Sequence, residues 1–280
     1  MSILVFGKSG QVAHALAKYD GVVCLDQHEG ELTQPEMCAR VIMEHRPDAV
    51  INAAAYTAVD PAEADEAVAQ VVNGDAPAAM AKAAAELGIP MVQISTDYVF
   101  DGTGTDPWQP YDTPAPRSAY GRTKLAGETG VIAAKGVYGI VRTSWVFSAQ
   151  GNNFVKTMLR LGAERDELNI VADQIGGPTW AGDVAEACYA MAVQLQESPD
   201  KSGTYHYSCG PDVSWADFAR AIFEASGTTC QVNDIPSSAY PTPAERPENS
   251  RLDVTSMTKT FGLKRPDWRV ALNTVLQELK

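Results

Sequence analysis

The chain opens with an apolar stretch, Ser2-Ile3-Leu4-Val5-Phe6, that runs directly into a glycine turn, Gly7-Lys8-Ser9-Gly10-Gln11-Val12-Ala13. A glycine turn between a first strand and a helix is typical of sites that hold the pyrophosphate of a dinucleotide. The same spacing also occurs in ordinary turn-and-helix packing, so its place directly after an N-terminal strand matters. The candidate cofactor contacts in this stretch are Gly7, Gly10, Gln11 and Val12.

A second apolar run, Val22-Val23-Cys24-Leu25, ends at Asp26. In a dinucleotide-binding fold, a carboxylate at the end of the second strand accepts hydrogen bonds from the adenosine ribose hydroxyls. A carboxylate also repels a 2′-phosphate, so Asp26 predicts a preference for NADH over NADPH. His28, if protonated, would offset part of this repulsion, and no arginine or lysine falls between Lys18 and Arg40. A turn residue at a strand end is the simpler alternative for Asp26.

Strand-like and helix-like segments alternate over residues 1–145, which indicates a parallel, doubly wound α/β sheet of the Rossmann type. Over residues 146–280 the alternation weakens, and we expect mainly a smaller C-terminal substrate-binding lobe, interleaved with the dinucleotide-binding domain. The predicted strands are Ile3–Phe6, Val22–Asp26, Ala49–Asn52, Met91–Ile94, Gly139–Arg142, Asn169–Asp173, Thr204–Cys209 and Gln231–Ile235. The predicted helices are Ala62–Val72, Ala76–Leu87, Asn153–Gly162, Trp180–Gln196 and Trp215–Ser226, and Pro236–Arg251 is predicted to be an ordered loop.

Tyr120 and Lys124 are four residues apart and would share one face of a helix. On that face the ammonium group would lower the pKa of the phenol, so that the tyrosine donates a proton at neutral pH. The spacing alone is a weak signal. The fourth predicted strand, however, runs into Ser95-Thr96-Asp97-Tyr98, a polar cluster that suits a site better than a core. Together with the glycine turn, this pattern predicts a nicotinamide-dependent carbonyl reductase.

The composition limits the other possibilities. A net charge of −13 argues against nucleic-acid binding, which needs basic residues to neutralise phosphates. No apolar run approaches the length of a membrane span, and the N-terminus lacks a signal-peptide pattern. The five cysteines are scattered and odd in number, which favours reduced thiols and a cytoplasmic location.

Several longer stretches resemble the extended short-chain dehydrogenase/reductases over essentially the full length, and among them the family of dTDP-4-dehydrorhamnose reductases. The Tyr-x-x-x-Lys pair and the glycine turn mark only the superfamily, whereas the later blocks are far more specific. The matching stretches are Phe6–Val12, Asn52–Asp60, Ser95–Phe100, Tyr120–Glu128, Arg142–Phe147, Gly151–Phe154 and Arg246–Leu252.

The resemblance implies reduction of the 4-keto group of a dTDP-4-keto-6-deoxy sugar by NADH or NADPH, with tolerance of both cofactors. It implies that Tyr120 is the catalytic acid, that Lys124 tunes this acid and anchors the nicotinamide ribose, and that Thr96 is the supporting hydroxyl. The implied cofactor contacts are Gly10, Gln11, Val12, Asp26, Glu31, Leu32, Ala55, Tyr56, Thr57, Ile94, Tyr120 and Lys124. The implied or candidate substrate contacts are Thr96, Asp97, Trp145, Asn153, Arg246 and Arg251.

Some of these assignments have alternatives. Trp145 would also suit a core aromatic after a strand, and surface salt bridges would explain Arg246 and Arg251 equally well. The first helix has no carboxylate where family members with a metal-bridged dimer place one, so we predict no bound metal and leave a homodimer as a possibility. Two other functions stay open, namely a reductase or epimerase of another nucleotide-activated deoxysugar and a non-catalytic, NADP-binding regulatory subunit.

Overall fold

A computed structural model describes the protein from Met1 to Lys280. The strands are β1 (Ile3–Phe6), β2 (Val22–Leu25), β3 (Ala49–Asn52), β4 (Met91–Thr96), β5 (Tyr138–Thr143), β6 (Val146–Phe147), β7 (Glu167–Val171), β8 (Ile175–Gly176), β9 (Thr179–Trp180), β10 (Gly203–His206), β11 (Val213–Ser214), β12 (Gln231–Ile235) and β13 (Asn249–Ser250). The α-helices are α1 (Gln11–Leu16), α2 (Pro35–His45), α3 (Val59–Ala62), α4 (Glu66–Gln70), α5 (Ala76–Leu87), α6 (Ala119–Ala133), α7 (Phe154–Glu164), α8 (Ala181–Glu197), α9 (Trp215–Ser226), α10 (Thr255–Phe261) and α11 (Trp268–Glu278). None of the helices combines the length and the apolar content that a membrane crossing requires.

Six parallel strands form the main sheet, in the order β10-β5-β4-β3-β1-β2. All four residues of β1 are buried, as expected of a central strand that is covered on both faces, whereas Val23 on the edge strand β2 is exposed. From β1 the chain moves first to β2 on one side and then to β3 on the other. The strand order therefore reverses at β1, and a crevice opens at the carboxyl end of that strand. The predicted doubly wound α/β sheet is confirmed.

Helices cover both faces of this sheet. One face packs against α1, α8 and α10 through side chains such as Leu16, Met191 and Phe261. The other face packs against α2 and α5 through Ile42 and Met80. Strand β10 is part of the main sheet and helix α8 packs against it, although both lie beyond residue 145. The chain therefore crosses more than once between the dinucleotide-binding part and the C-terminal lobe.

The remainder of the C-terminal half has its own core around Phe147, Phe218 and Trp268. Three small sheets frame it, in the orders β11-β8-β13, β12-β7 and β6-β9. The division of the chain at residue 145 stays a prediction, because the structure describes where elements pack and not which parts fold separately.

Most predicted elements are present, with shifted ends. Strands β4 and β5 continue to Thr96 and Thr143, and the strand predicted to begin at Thr204 spans Gly203–His206 of the main sheet. The prediction of one continuous helix over Ala62–Val72 is wrong. The chain forms the short α3, and then α4 continues through a π-helical segment, Val71–Asp75, directly into α5.

Candidate active site

A cleft with a volume of about 880 Å³ opens at the carboxyl end of the main sheet. It extends from the glycine turn after β1 to the ends of β4 and β5 and the first turns of α6. All of the predicted cofactor residues line this one cleft, as do three of the predicted substrate residues. These lining residues are Gly7, Gly10, Gln11, Val12, Asp26, Glu31, Leu32, Ala55, Tyr56, Thr57, Ile94, Thr96, Asp97, Tyr120, Lys124 and Trp145.

The glycine turn leaves open space where a dinucleotide would lie. Gly7 has a φ of 103°, and a β-carbon on it would press against Ala54 at 3.3 Å, so the position requires glycine. At Gly10 an added β-carbon would meet only the carbonyl oxygen of Ala53, at 3.8 Å. A larger side chain at Gly10 would therefore fill the cleft itself. The glycine turn therefore leaves room for a pyrophosphate beside its backbone, and its residues fit the binding of a dinucleotide.

Asp26 stands at the far end of the cleft from Tyr120, directly after β2. Its Oδ1 atom accepts hydrogen bonds from the backbone N–H groups of Glu29 and His28, which hold the pKa of this carboxyl below its usual value. Lys8 of the glycine turn reaches within 3.8 Å of Asp26. This lysine could not be found by searching the chain on either side of Asp26, because it comes from a different loop.

Helix α6 places Tyr120 and Lys124 against the sheet. Ser118 caps the helix by accepting a hydrogen bond from the N–H of Gly121 at 3.1 Å. Gly121 also lets the helix approach closely, since a β-carbon there would lie only 2.2 Å from the carbonyl oxygen of Tyr98. The helix is thereby fixed next to Thr96 and Asp97 at the end of β4.

Lys124 is 4% exposed, and its ammonium group donates a hydrogen bond to the carbonyl oxygen of Ile94 at 2.7 Å. Burial lowers the pKa of this lysine to about 8, while the carboxylate of Glu128 acts in the opposite direction. Burial raises the pKa of Tyr120 to about 12, Asp97 adds to this rise, and Thr96 opposes it. This differs from the expected lowering of the phenol pKa, because desolvation and the Asp97 carboxylate raise it and Lys124 is not among the groups that shift it.

Thr96 and Asp97 form the floor beside the phenol. The hydroxyl of Thr96 donates to Asp97 Oδ1 at 3.0 Å and accepts from the N–H of Tyr98 at 3.2 Å. The second carboxylate oxygen of Asp97 is buried and forms no hydrogen bond, although the hydroxyl of Ser250 lies close enough to influence the carboxyl. The hydroxyl of Thr143, which stands beside Thr96 on the adjacent strand β5, is likewise buried without a partner. Burial raises the pKa of Asp97 to about 6. Two polar atoms are thus left for a ligand to satisfy.

Trp145 forms the opposite wall. Its φ of 50° lies in the left-handed region, which bulky residues rarely adopt. The indole stacks on Trp215 of α9, with ring centroids 3.6 Å apart, and stays partly exposed to the cleft. Trp145 is therefore an aromatic surface of the site and not a core residue, whereas its partner Trp215 was missed because the contact spans the two halves of the chain.

Three predicted substrate residues lie outside the cleft. Asn153 caps α7 and donates to Gln11 Oε1 at 3.0 Å, so it supports a cofactor residue instead of facing the floor. Arg246 forms a two-pronged ion pair with Asp60, at 3.0 and 2.8 Å. Arg251 donates to Asn249 at 2.9 Å. Arg246 thus forms a salt bridge, as the alternative to a substrate contact predicted.

Asn73, in the π-helical segment, is a further residue of the site and was not predicted from the sequence. Its side chain accepts from the N–H of Tyr56 at 2.8 Å and donates to the carbonyl of Tyr56 at 3.1 Å. It also donates to Thr123 of α6 at 3.2 Å. The loop after β3 is thereby joined to the helix that carries Tyr120. A π-helical turn inside a longer helix is frequent at functional sites, but this turn is visible only in the structure and not in the sequence pattern.

Comparison with known proteins places this cleft in a family. A family model described as the RmlD substrate binding domain matches residues 1–280. A dTDP-4-dehydrorhamnose reductase from Shigella flexneri is 43% identical over 100% of this chain and 98% of its own length. One from Burkholderia thailandensis is 44% identical, over 100% and 99%. The chain belongs to the dTDP-4-dehydrorhamnose reductase family.

Solved structures agree with this assignment. A dTDP-4-dehydrorhamnose reductase from Clostridium acetobutylicum superposes with a TM-score of 0.93 at 37% identity, over 100% of this chain and 99% of its own. One from Bacillus anthracis, solved in complex with NADP, gives a TM-score of 0.90 at 35% identity, over 99% and 100%. The resemblance inferred from the motifs is thereby confirmed at the level of the whole fold. In the structure of this chain, no three His, Cys, Asp or Glu side chains form a group that could hold a metal ion.

Proposed function

We propose that the protein reduces the 4-keto group of dTDP-4-dehydro-6-deoxy-L-mannose, that is dTDP-4-dehydrorhamnose, to give dTDP-L-rhamnose, with NADH or NADPH as cofactor. One observation carries this proposal. Thr96, Tyr120 and Lys124 line the same cleft as the glycine turn, so a dinucleotide and a keto sugar can meet there. Family membership supplies the identity of the sugar nucleotide, which the cleft by itself does not specify.

The chemistry then divides among the side chains as follows. When bound, the reduced nicotinamide supplies the hydride to the carbonyl carbon. Tyr120 gives its proton to the carbonyl oxygen, and its high pKa keeps the phenol protonated through the neutral range. The hydroxyl of Thr96, which donates to Asp97 Oδ1 in the structure, would turn to donate a hydrogen bond to the same oxygen as negative charge develops on it. Lys124 would hold the nicotinamide ribose, and its ammonium would stabilise the phenolate that remains after the transfer.

The sugar contacts follow from the unsatisfied atoms. A hydroxyl of the sugar would donate to the free oxygen of Asp97, which is buried and otherwise lacks a partner. Trp145 would cover one face of the sugar ring with its indole. Arg246 and Arg251 stay predictions for the diphosphate. At Arg246 a diphosphate would have to compete with the carboxylate of Asp60, which already holds the guanidinium.

The direct test is to mix the purified protein with NADPH or NADH and dTDP-4-dehydrorhamnose and to follow the absorbance of the reduced cofactor. We expect the absorbance to fall and the product to be identified by NMR as dTDP-L-rhamnose. Other 4-keto sugar nucleotides serve as controls. Faster reduction of one of these would favour a different sugar-nucleotide reductase. Cofactor binding without turnover of any of them would favour a regulatory subunit.

A homodimer and a cytoplasmic location remain proposals. All five cysteines are unpaired, and four of them are buried, which supports a compartment in which thiols stay reduced. Size-exclusion chromatography with light scattering measures the mass in solution. A mass of about twice 30.0 kDa is expected for the dimer, and a mass equal to one chain would contradict it.

A further inference from the structure

An ion pair lies almost completely buried beneath the residues proposed to react. The guanidinium of Arg142 donates to both carboxylate oxygens of Glu128, from Nε at 2.9 Å and from Nη2 at 2.7 Å. The two side chains are only 5% and 2% exposed. Removing two charges from water is costly and often contributes nothing to stability, so a buried pair in this place calls for another explanation.

Glu128 joins α6 to the end of β4. Tyr120, Lys124 and Glu128 follow one another at intervals of four residues, so all three lie on the face of α6 that meets the sheet. The hydroxyl of Ser95 donates to Glu128 Oε1 at 2.5 Å. Since Ser95 precedes Thr96 directly, the carboxylate connects the helix that carries Tyr120 with the strand that carries the supporting hydroxyl.

Arg142 joins the same carboxylate to β5 and to the loop that leads into α6. On β5 it stands opposite Ser95, and its Nη1 atom donates to the carbonyl oxygen of Pro110 at 3.2 Å. Its guanidinium also lies over the ring of Phe100, 5.0 Å from the centroid. One side chain therefore holds a strand, the loop and the carboxylate of α6 together.

The carboxylate of this pair also influences the pKa of Lys124. Glu128 counteracts the effect of burial on the pKa of Lys124 but forms no salt bridge with it, so it acts through space. Arg142 faces this carboxylate from the other side, and His206 beside it stays neutral because burial lowers its pKa to about 3. The elements packed against α6 carry further titratable groups, namely Asp97 and Tyr98 after β4, Asp60 on α3, Glu66 on α4 and Tyr138 on β5, besides Tyr120 on α6 itself. Asp75 of the π-helical segment and Lys82 and Glu86 of α5 are exposed to solvent.

We infer that Glu128 and Arg142 are positioning residues for the keto reduction. The Glu128 carboxylate keeps the Lys124 ammonium charged, Arg142 holds that carboxylate in place, and together they hold α6 in register with Thr96. The inference rests on the proposed function and deepens it. Neither side chain lines the cleft, and both act only through the residues that do.

The test is the pH dependence of kcat in Glu128→Gln, which keeps the shape of the side chain and removes its charge. Without the carboxylate, Lys124 should lose its proton at lower pH, so the alkaline limb of the kcat profile should move down by about one pH unit. Asp212→Asn is the matched control, because Asp212 pairs with Arg265 at 2.5 Å in a partly buried ion pair away from the cleft. This control should lower Tm and leave the limb unchanged.

A second variant covers the case in which Glu128→Gln does not fold with Arg142 left unpaired. Glu128→Gln/Arg142→Met removes both charges together and so leaves no unpaired buried charge, which is the main cost of breaking a buried pair. Here too the limb should lie below that of the wild type, with a reduced kcat. An unchanged limb and an unchanged kcat in a folded variant would overturn the inference. A wild-type protein without turnover would instead overturn the proposed function.

Discussion

The ammonium nitrogen of Lys8 lies 3.8 Å from the carboxylate of Asp26, and this contact joins the glycine turn to the end of β2. The adenosine ribose of a dinucleotide is expected at this place. A carboxylate there disfavours a 2′-phosphate, whereas a neighbouring ammonium favours it. From this pair we expect one site to accept both cofactors, with only a modest preference between them.

Cofactor choice should therefore respond in opposite directions to changes at the two residues. Wild-type protein should favour NADH, and Asp26→Ala should shift the ratio of kcat/KM values towards NADPH. Lys8→Ala should shift the ratio towards NADH. Each shift should be no more than about fivefold, because exposed charges are screened by solvent. Steady-state kinetics with both cofactors measures the ratios. A wild-type preference for NADPH, or a ratio unaffected by Asp26→Ala, would refute the role given to Asp26.

Asp97 should lower the stability of the folded protein at neutral pH. Its pKa is raised from 3.8 to about 6 in the folded protein. Below pH 3.8 the carboxyl is protonated in both the folded and the unfolded state, so Asp97 does not reduce the free energy of unfolding there. As the pH rises through about 6, the carboxyl becomes ionised in both states and the free energy of unfolding falls. The loss amounts to about 3 kcal/mol or less above that range. Asp97→Asn should therefore be more stable than wild type at pH 8.

Thermal unfolding of both proteins at pH 4.5 and pH 8, taken as about 1.5 units below and about 2 units above the raised pKa, measures this difference. The gain in Tm of the variant should be several degrees at the higher pH and much smaller at the lower one. A variant that is less stable than wild type at both values would show that Asp97 holds the fold together. Its activity should fall in either case, since the sugar loses an acceptor.

Trp145 should contribute to sugar-nucleotide binding and not to cofactor binding. In Trp145→Ala the cleft loses the wall that stacks on Trp215, and the Kd for the sugar nucleotide should rise by about twofold to tenfold. Calorimetric titration with dTDP-L-rhamnose and, separately, with NADPH distinguishes the two ligands. Equal losses for both would indicate damage to the fold instead of loss of a contact.

Lys124→Met should raise the KM for the cofactor and lower kcat together. The lysine is assigned to the nicotinamide ribose and also to the phenolate left after proton transfer, so one substitution affects both steps. Lys156→Met, at a partly buried lysine of α7 outside the cleft, is a control for loss of a lysine charge. A variant with a lower kcat and an unchanged cofactor KM would contradict the proposed contact between Lys124 and the nicotinamide ribose.

Local sequence was sufficient for the residues that act within one element. The run Ile3–Phe6 before the glycine turn predicted the cofactor end of the cleft, because a strand, a tight turn and a helix follow one another without gaps. The four-residue spacing of Tyr120 and Lys124 predicted a shared helix face in the same way. These inferences need no knowledge of distant parts of the chain.

Contacts between distant segments could not be predicted in that way. The pairs Arg142 with Glu128 and Arg246 with Asp60 depend on which strand, helix and loop come together in the fold. The lowering expected for the pKa of Tyr120 failed for a related reason, since spacing identifies the neighbouring charge but not the degree of burial. The stacking of Trp145 on Trp215 likewise appears only once the two halves of the chain meet.

The central claim is that Tyr120 donates the proton in reduction of the keto sugar, and Tyr120→Phe tests it most directly. The measurement compares kcat for dTDP-4-dehydrorhamnose in wild type and variant, together with the Kd for NADPH. We expect kcat to fall by about 10²–10⁴-fold, as for loss of a general acid, with an unchanged Kd. Reduction of the keto sugar by the variant within a few-fold of the wild-type rate would contradict the account.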